Sequence, residues 1–83
     1  MRTAVFALTE AGAQLARRVG LALGDQATLF VSSRHATLGA QTFGRLREAV
    51  QENFHRYDAL VFIMAAGIAV RSIAPYLVSK LED

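Results

Sequence analysis

The sequence predicts an α/β fold built on an all-parallel sheet, and three observations carry that expectation. Three apolar runs of strand length alternate with three helical patterns. The third run, Ala59 to Ala66, holds eight uncharged residues without a break. It is apolar at both odd and even positions, as in a strand covered on both faces. Gly67 follows at once, and a helical pattern carrying Arg71 begins there. A strand thus feeds directly into a helix start, where outward-pointing backbone N–H groups favour an anion.

Each element has its own local warrant. The first strand spans Thr3 to Leu8, and its helix runs from about Glu10 to Leu23. Thr9 is a natural N-cap, Gly24 a natural C-terminal glycine, and Ala11, Leu15, Val19 and Leu23 form the expected buried stripe at four-residue spacing. The second strand is Ala27 to Val31, followed by a polar loop from Ser32 to Thr42. A second helix is expected from about Phe43 to Arg56, with Leu46, Val50 and Phe54 inward and Glu48 and Glu52 facing solvent between Arg45 and Arg56. The third strand runs from Ala59 to Met64, introduced by Tyr57-Asp58. A third helix begins near Ile68, with Val70, Ile73, Leu77 and Leu81 on one face. Pro75 must kink it or divide it in two.

Strand–helix alternation with right-handed crossovers gives a three-layer sandwich whose simplest strand order is 2-1-3. This is a truncated Rossmann- or flavodoxin-like arrangement. In that order the third strand lies at an open edge with neither charge nor proline to discourage pairing. The expectation is a single domain over residues 1–83 that forms the front portion of a larger fold, or that pairs with a second copy along strand three.

Composition narrows the class of function. Of the 83 residues 53% are apolar, enough for a packed core. Nine Lys and Arg against seven Asp and Glu leave a formal charge of +2. The positive residues form no stripe and are not interleaved with aromatics, so no nucleic-acid partner is expected. Arginine supplies eight of those nine cations, which favours bidentate grip on carboxylates or phosphates. No cysteine is present, which excludes disulfides and thiolate chemistry. The longest apolar run is far short of a span of about 20 residues, so no membrane partner is expected. The opening MRTAVFALT has no signal-peptide pattern, and a cytoplasmic protein is expected.

In a parallel α/β sheet the strand-to-helix loops share the carboxyl edge, where ligands bind. Three clusters gather there: Thr9, Glu10 and Gly12; Ser32, Ser33, Arg34 and His35; and Ala65, Ala66, Gly67 and Arg71. Thr9, Gly12, Arg34, Ala66, Gly67 and Arg71 are the candidate substrate-binding residues, and the ligand they suit is an anion. Gly67 serves either a tight turn or the close approach of a ligand. Glu10 is the one carboxylate placed at this edge and hence the candidate general base, although helix-dipole complementarity alone would also select it. His35 and His55 stand apart without carboxylates at ligand spacing, so no protein metal site is expected. The phosphate-loop fingerprints GxGxxG and GxxxxGK[ST] are both missing.

Residues 59–83, ALVFIMAAGIAVRSIAPYLVSKLED, closely resemble the N-terminal domain of the CbiG family, the cobalt-precorrin-5A hydrolases of anaerobic cobalamin biosynthesis. The opening AVFALTEAGAQLARRV, residues 4–19, also looks like the family's first strand and helix, with Thr9 and Gly12 on its T-x-x-G pattern. The resemblance is strong over FIMAAGIAVRSIAP and weak between residues 25 and 55. It implies an enzyme that opens the ring lactone of a cobalt-containing tetrapyrrole and releases acetaldehyde. The metal would arrive inside the substrate, so no further cofactor is implied. The remaining family domains are the implied partners, and a non-catalytic tetrapyrrole-binding or assembly module is the alternative.

Overall fold

The structure, a computed structural model, describes residues 1–37 and 39–82, with side chains as far as Tyr76. Its centre is strand β1, Thr3–Ala7, in which all five residues are buried. Two parallel neighbours flank it in matched register: β2, Ala27–Ser32, and β4, Ala59–Ile63. A short strand β3, Gln41–Phe43, extends the sheet beyond β2, giving the order β3-β2-β1-β4. The expected 2-1-3 arrangement is thus present with one strand added. That strand comes from the segment expected to be loop and helix start. Gln41 and Thr42 are exposed and polar, so nothing in their pattern announces a strand; pairing with Phe30–Ser32 creates it.

Side chains alternate across the sheet as the pleat requires. Ala4, Phe6 and Phe30 face helix α2, Leu46–Asn53, and helix α3, Ala66–Glu82. Val5, Ala7 and Val31 face helix α1, Glu10–Leu23. The register sets Phe30, Phe6 and Phe62 side by side on three adjacent strands. Their rings stack in a row, with centroids 5.1 and 5.2 Å apart. At the amino end, Arg2 ties β1 to the start of β4. Its N–H donates to Asp58 Oδ2 at 2.8 Å, its carbonyl accepts from Asp58 N, and its guanidinium lies over the Tyr57 ring.

Helix α1 has the bounds its caps predict: Thr9 Oγ1 accepts from Gly12 N at 3.0 Å, and Gly24 closes the other end at φ 76°. Of the expected stripe, Val19 packs against the buried cluster on this face of the sheet, but its other members do not form the buried surface. Gly12, Ala13 and Ala16 face the sheet, whereas Ala11 is exposed and Leu15 and Leu23 are 47% and 45% exposed. Close approach explains the difference. A β-carbon at Gly12 would stand 3.2 Å from the Ile63 carbonyl oxygen, and one at Gly20 would stand 2.9 Å from Leu29 Cδ2. The first two turns of the helix lie low enough that small residues occupy the space beneath them.

Helix α2 is shorter than expected at both ends. Phe43 belongs to β3, Arg45 is the extended N-cap, and a tight turn from Asn53 O to Arg56 N ends the helix. Val50 is buried, with Leu46 and Phe54 packed against the same cluster. Helix α3 begins at Ala66, earlier than expected, and continues through Pro75 without division. Val70 is 57% exposed, so it does not share an inward face with Ile73; Leu77 and Leu81 lie outside the described side chains. Gly67 has no positive φ, and a β-carbon added to it would meet nothing within 4 Å, so no turn requires glycine there.

Two stability experiments follow from this packing. Phe6→Ala removes the middle ring of the row and should cost about 3–5 kcal/mol, read as a lower urea midpoint. Gly12→Ala and Gly67→Ala should move stability in opposite directions. The first forces a methyl against backbone and costs about 1–3 kcal/mol, outweighing the helix-propensity gain of roughly 1 kcal/mol. The second meets open space and should stabilise by about 0.4–1 kcal/mol.

Candidate functional site

The chain leaves β1 toward β2 on one side and returns to β4 on the other, so the carboxyl ends of β1 and β4 mark a topological switch point. Two helix starts flank it from opposite faces. The first turn of α1 reaches over the end of β4, as the proximity of Gly12 to the Ile63 carbonyl records. The first turn of α3 begins after Ala65, whose carbonyl accepts from both Ile68 N (3.0 Å) and Ala69 N (3.2 Å). Alanine at that cap position has no side-chain acceptor to offer, and among the described residues no side chain caps the amides of Ala66 and Gly67. Both residues are exposed.

Two concavities open beside this edge, one on each face of the sheet. The larger, about 910 Å³, lies between α2 and α3. Leu8, Leu46, Ile68 and Pro75 give it apolar walls, and among the described residues Arg45, Arg47 and Arg71 give it positive charge against the carboxylate of Glu48. Ser72, also in its wall, is buried and donates its hydroxyl to the Ile68 carbonyl at 3.0 Å. The smaller, about 420 Å³, lies on the α1 side and is lined by Glu10, Arg17, Arg34 and His35 among others. Among the described residues, no His, Asp or Glu side chains group in threes as a metal site would require. No described helix is long and apolar enough to cross a membrane.

The candidate residues therefore separate. Thr9 and Gly12 stand opposite Ala66 and Gly67 across the switch point, but Thr9 is engaged as a helix cap and Gly12 is buried with its amide bonded to Thr9. Arg34 joins Glu10 in the smaller concavity, while Arg71 lines the larger one. Ser32 caps the 3-10 turn Ser33–His35 by accepting from Arg34 N at 3.3 Å. In the sequence Arg45 reads only as a charge beside the solvent-facing Glu48 and Glu52, and Arg47 carries no motif of its own. The signal that finds them is spatial: α2 and α3 share one face of the sheet.

Comparison with known proteins gives a family match and a curated relative. Residues 48–83 match the family model described as cobalamin synthesis G N-terminal. A curated relative, the cobalt-precorrin-5A hydrolase of Salmonella typhimurium, is 38% identical over 81 residues, which is 96% of this chain and 22% of the relative. The chain thus spans about a fifth of the length of that relative. No solved structure gives a significant match. The family match covers β4 and α3, the similarity to the relative extends through β1 and α1, and the chain is accordingly similar along its length to the cobalamin synthesis G N-terminal (CbiG) family.

Proposed function

We propose that this chain forms the tetrapyrrole-binding edge of a cobalt-precorrin-5A hydrolase, working in the cytoplasm in cobalamin biosynthesis. The observation that carries the reading is the groove between α2 and α3, with apolar walls and, among the described residues, three arginines against one glutamate. The substrate is a flat macrocycle bordered by acetate and propionate groups. Its ring needs apolar surface and its arms need cations, and guanidinium forks hold carboxylates in paired hydrogen bonds. Arg71, Arg45 and Arg47 are assigned to those arms. Cobalt enters within the macrocycle as part of the substrate.

Lactone opening needs a water activated by a base and a donor for the oxyanion that forms. The uncapped amides of Ala66 and Gly67 are assigned to the oxyanion or to a neighbouring carboxylate, and the bare surface at Gly67 lets a ligand come close. Glu48 is the carboxylate within the groove, whereas Glu10 lines the concavity across the sheet. The placement of Glu10 favours a second reading, in which these residues hold the macrocycle and the base comes from the remaining family domains. In that arrangement the unpaired edge of β4 is where those domains, or a second copy, extend the sheet.

Acetaldehyde release from cobalt-precorrin-5A separates a hydrolase from a non-catalytic tetrapyrrole-binding module. The hydrolase reading expects release when this chain is combined with the remaining domains. Binding without release, even with both parts present, sinks it and leaves the binding module. Arg71→Ala should weaken macrocycle binding by about tenfold, the worth of one charge-assisted hydrogen bond, with the melting temperature nearly unchanged because the residue is exposed. Unaltered affinity, measured by titration of the tetrapyrrole absorbance, removes Arg71 from the site.

A further inference from the structure

We propose that the smaller concavity, on the α1 face, is a separate binding site for a short-chain monocarboxylate. It goes beyond the tetrapyrrole reading, since it shares no lining residue with the groove between α2 and α3. One wall is a single face of α1: Glu10, Gln14 and Arg17 follow one another at helical spacing. The other wall is the turn after β2, with Arg34, His35 and Thr37. Two elements distant in sequence thus bring two guanidinium groups to one space of about 420 Å³.

Neither arginine is there to build the fold. Both are exposed, and the residues of α1 that pack on the sheet are Gly12, Ala13 and Ala16. Among the described residues, the side chains of Glu10, Arg17 and Arg34 enter none of the side-chain hydrogen bonds. The two cations therefore face the cavity with their donors available, beside one carboxylate that does not engage them.

The charge balance selects the ligand. Two guanidinium groups against one carboxylate leave a single positive charge when His35 is neutral. A monocarboxylate cancels that charge and accepts paired hydrogen bonds from a guanidinium fork. A phosphate, carrying about −1.5 to −2 near neutral pH, would bring surplus negative charge against Glu10. Ala36, which is exposed, lines the same space and receives a short hydrocarbon tail.

The test is a titration of the isotopically labelled chain with sodium propionate and with inorganic phosphate at constant ionic strength, followed by amide NMR shifts. The expected result is saturable movement of the Ala13, Gln14, Ala36 and Thr37 amides with propionate, at a dissociation constant on the order of millimolar. Arg17→Gln and Arg34→Gln should each weaken that binding by about tenfold while leaving the remaining amide spectrum in place. Phosphate binding as tightly as propionate overturns the proposal, as do variants that titrate like the parent chain. Shifts confined to Leu8, Ile68 and Ser72 would put the carboxylate in the other groove. That result refutes this site and leaves the tetrapyrrole reading standing, whereas loss of macrocycle binding in Arg71→Ala has no bearing on it.

Discussion

Strand β1 must be covered on both faces and hydrogen-bonded along both edges, and the rest of the molecule is arranged to satisfy that demand. Five consecutive buried residues leave no room for water on either side. Their N–H and C=O groups can then be satisfied only by neighbouring strands, which β2 and β4 supply in parallel. Parallel pairing requires crossovers, and the crossovers place α1 on one face and α2 with α3 on the other. Because the chain departs from β1 in one direction and comes back on the other side, the cleft at its carboxyl end is a by-product of how the strand is buried.

Local chemistry made much of this legible. Thr9 and Gly24 bound α1 because a capping hydroxyl and a glycine with positive φ act within a few residues of themselves. The uncharged run from Ala59 announced a strand for the same reason. What stayed hidden depends on distance between elements. The large apolar residues Leu15 and Leu23 suggest a buried stripe, yet the close approach of helix and sheet buries Gly12, Ala13 and Ala16 instead, with Val19 packing beside them. Strand β3 has no hydrophobic pattern of its own and exists through its pairing with β2. Gly67 reads as a breaker in one dimension and is an ordinary helical residue in three.

The same division applies to the site. That the loops after β1, β2 and β4 share an edge follows from parallel topology and was readable from strand–helix alternation. That this edge has two sides was not. The sheet separates Arg34 and Glu10 from Arg71, and it brings Arg45 and Arg47 of α2 into company with Arg71 of α3. Charge placement that looks like scattered surface decoration along the chain becomes two distinct positive concavities once the layers are known.

The chain contains two tyrosines and no tryptophan, and both tyrosines sit in the same layer. Tyr57 meets Phe30 edge-on at 6.0 Å, and Tyr76 stacks on Phe54 at 4.6 Å, both on the side of the sheet that carries α2 and α3. Intrinsic ultraviolet emission from this protein is therefore a one-sided optical reporter. It registers loosening of that layer directly and is blind to events confined to α1.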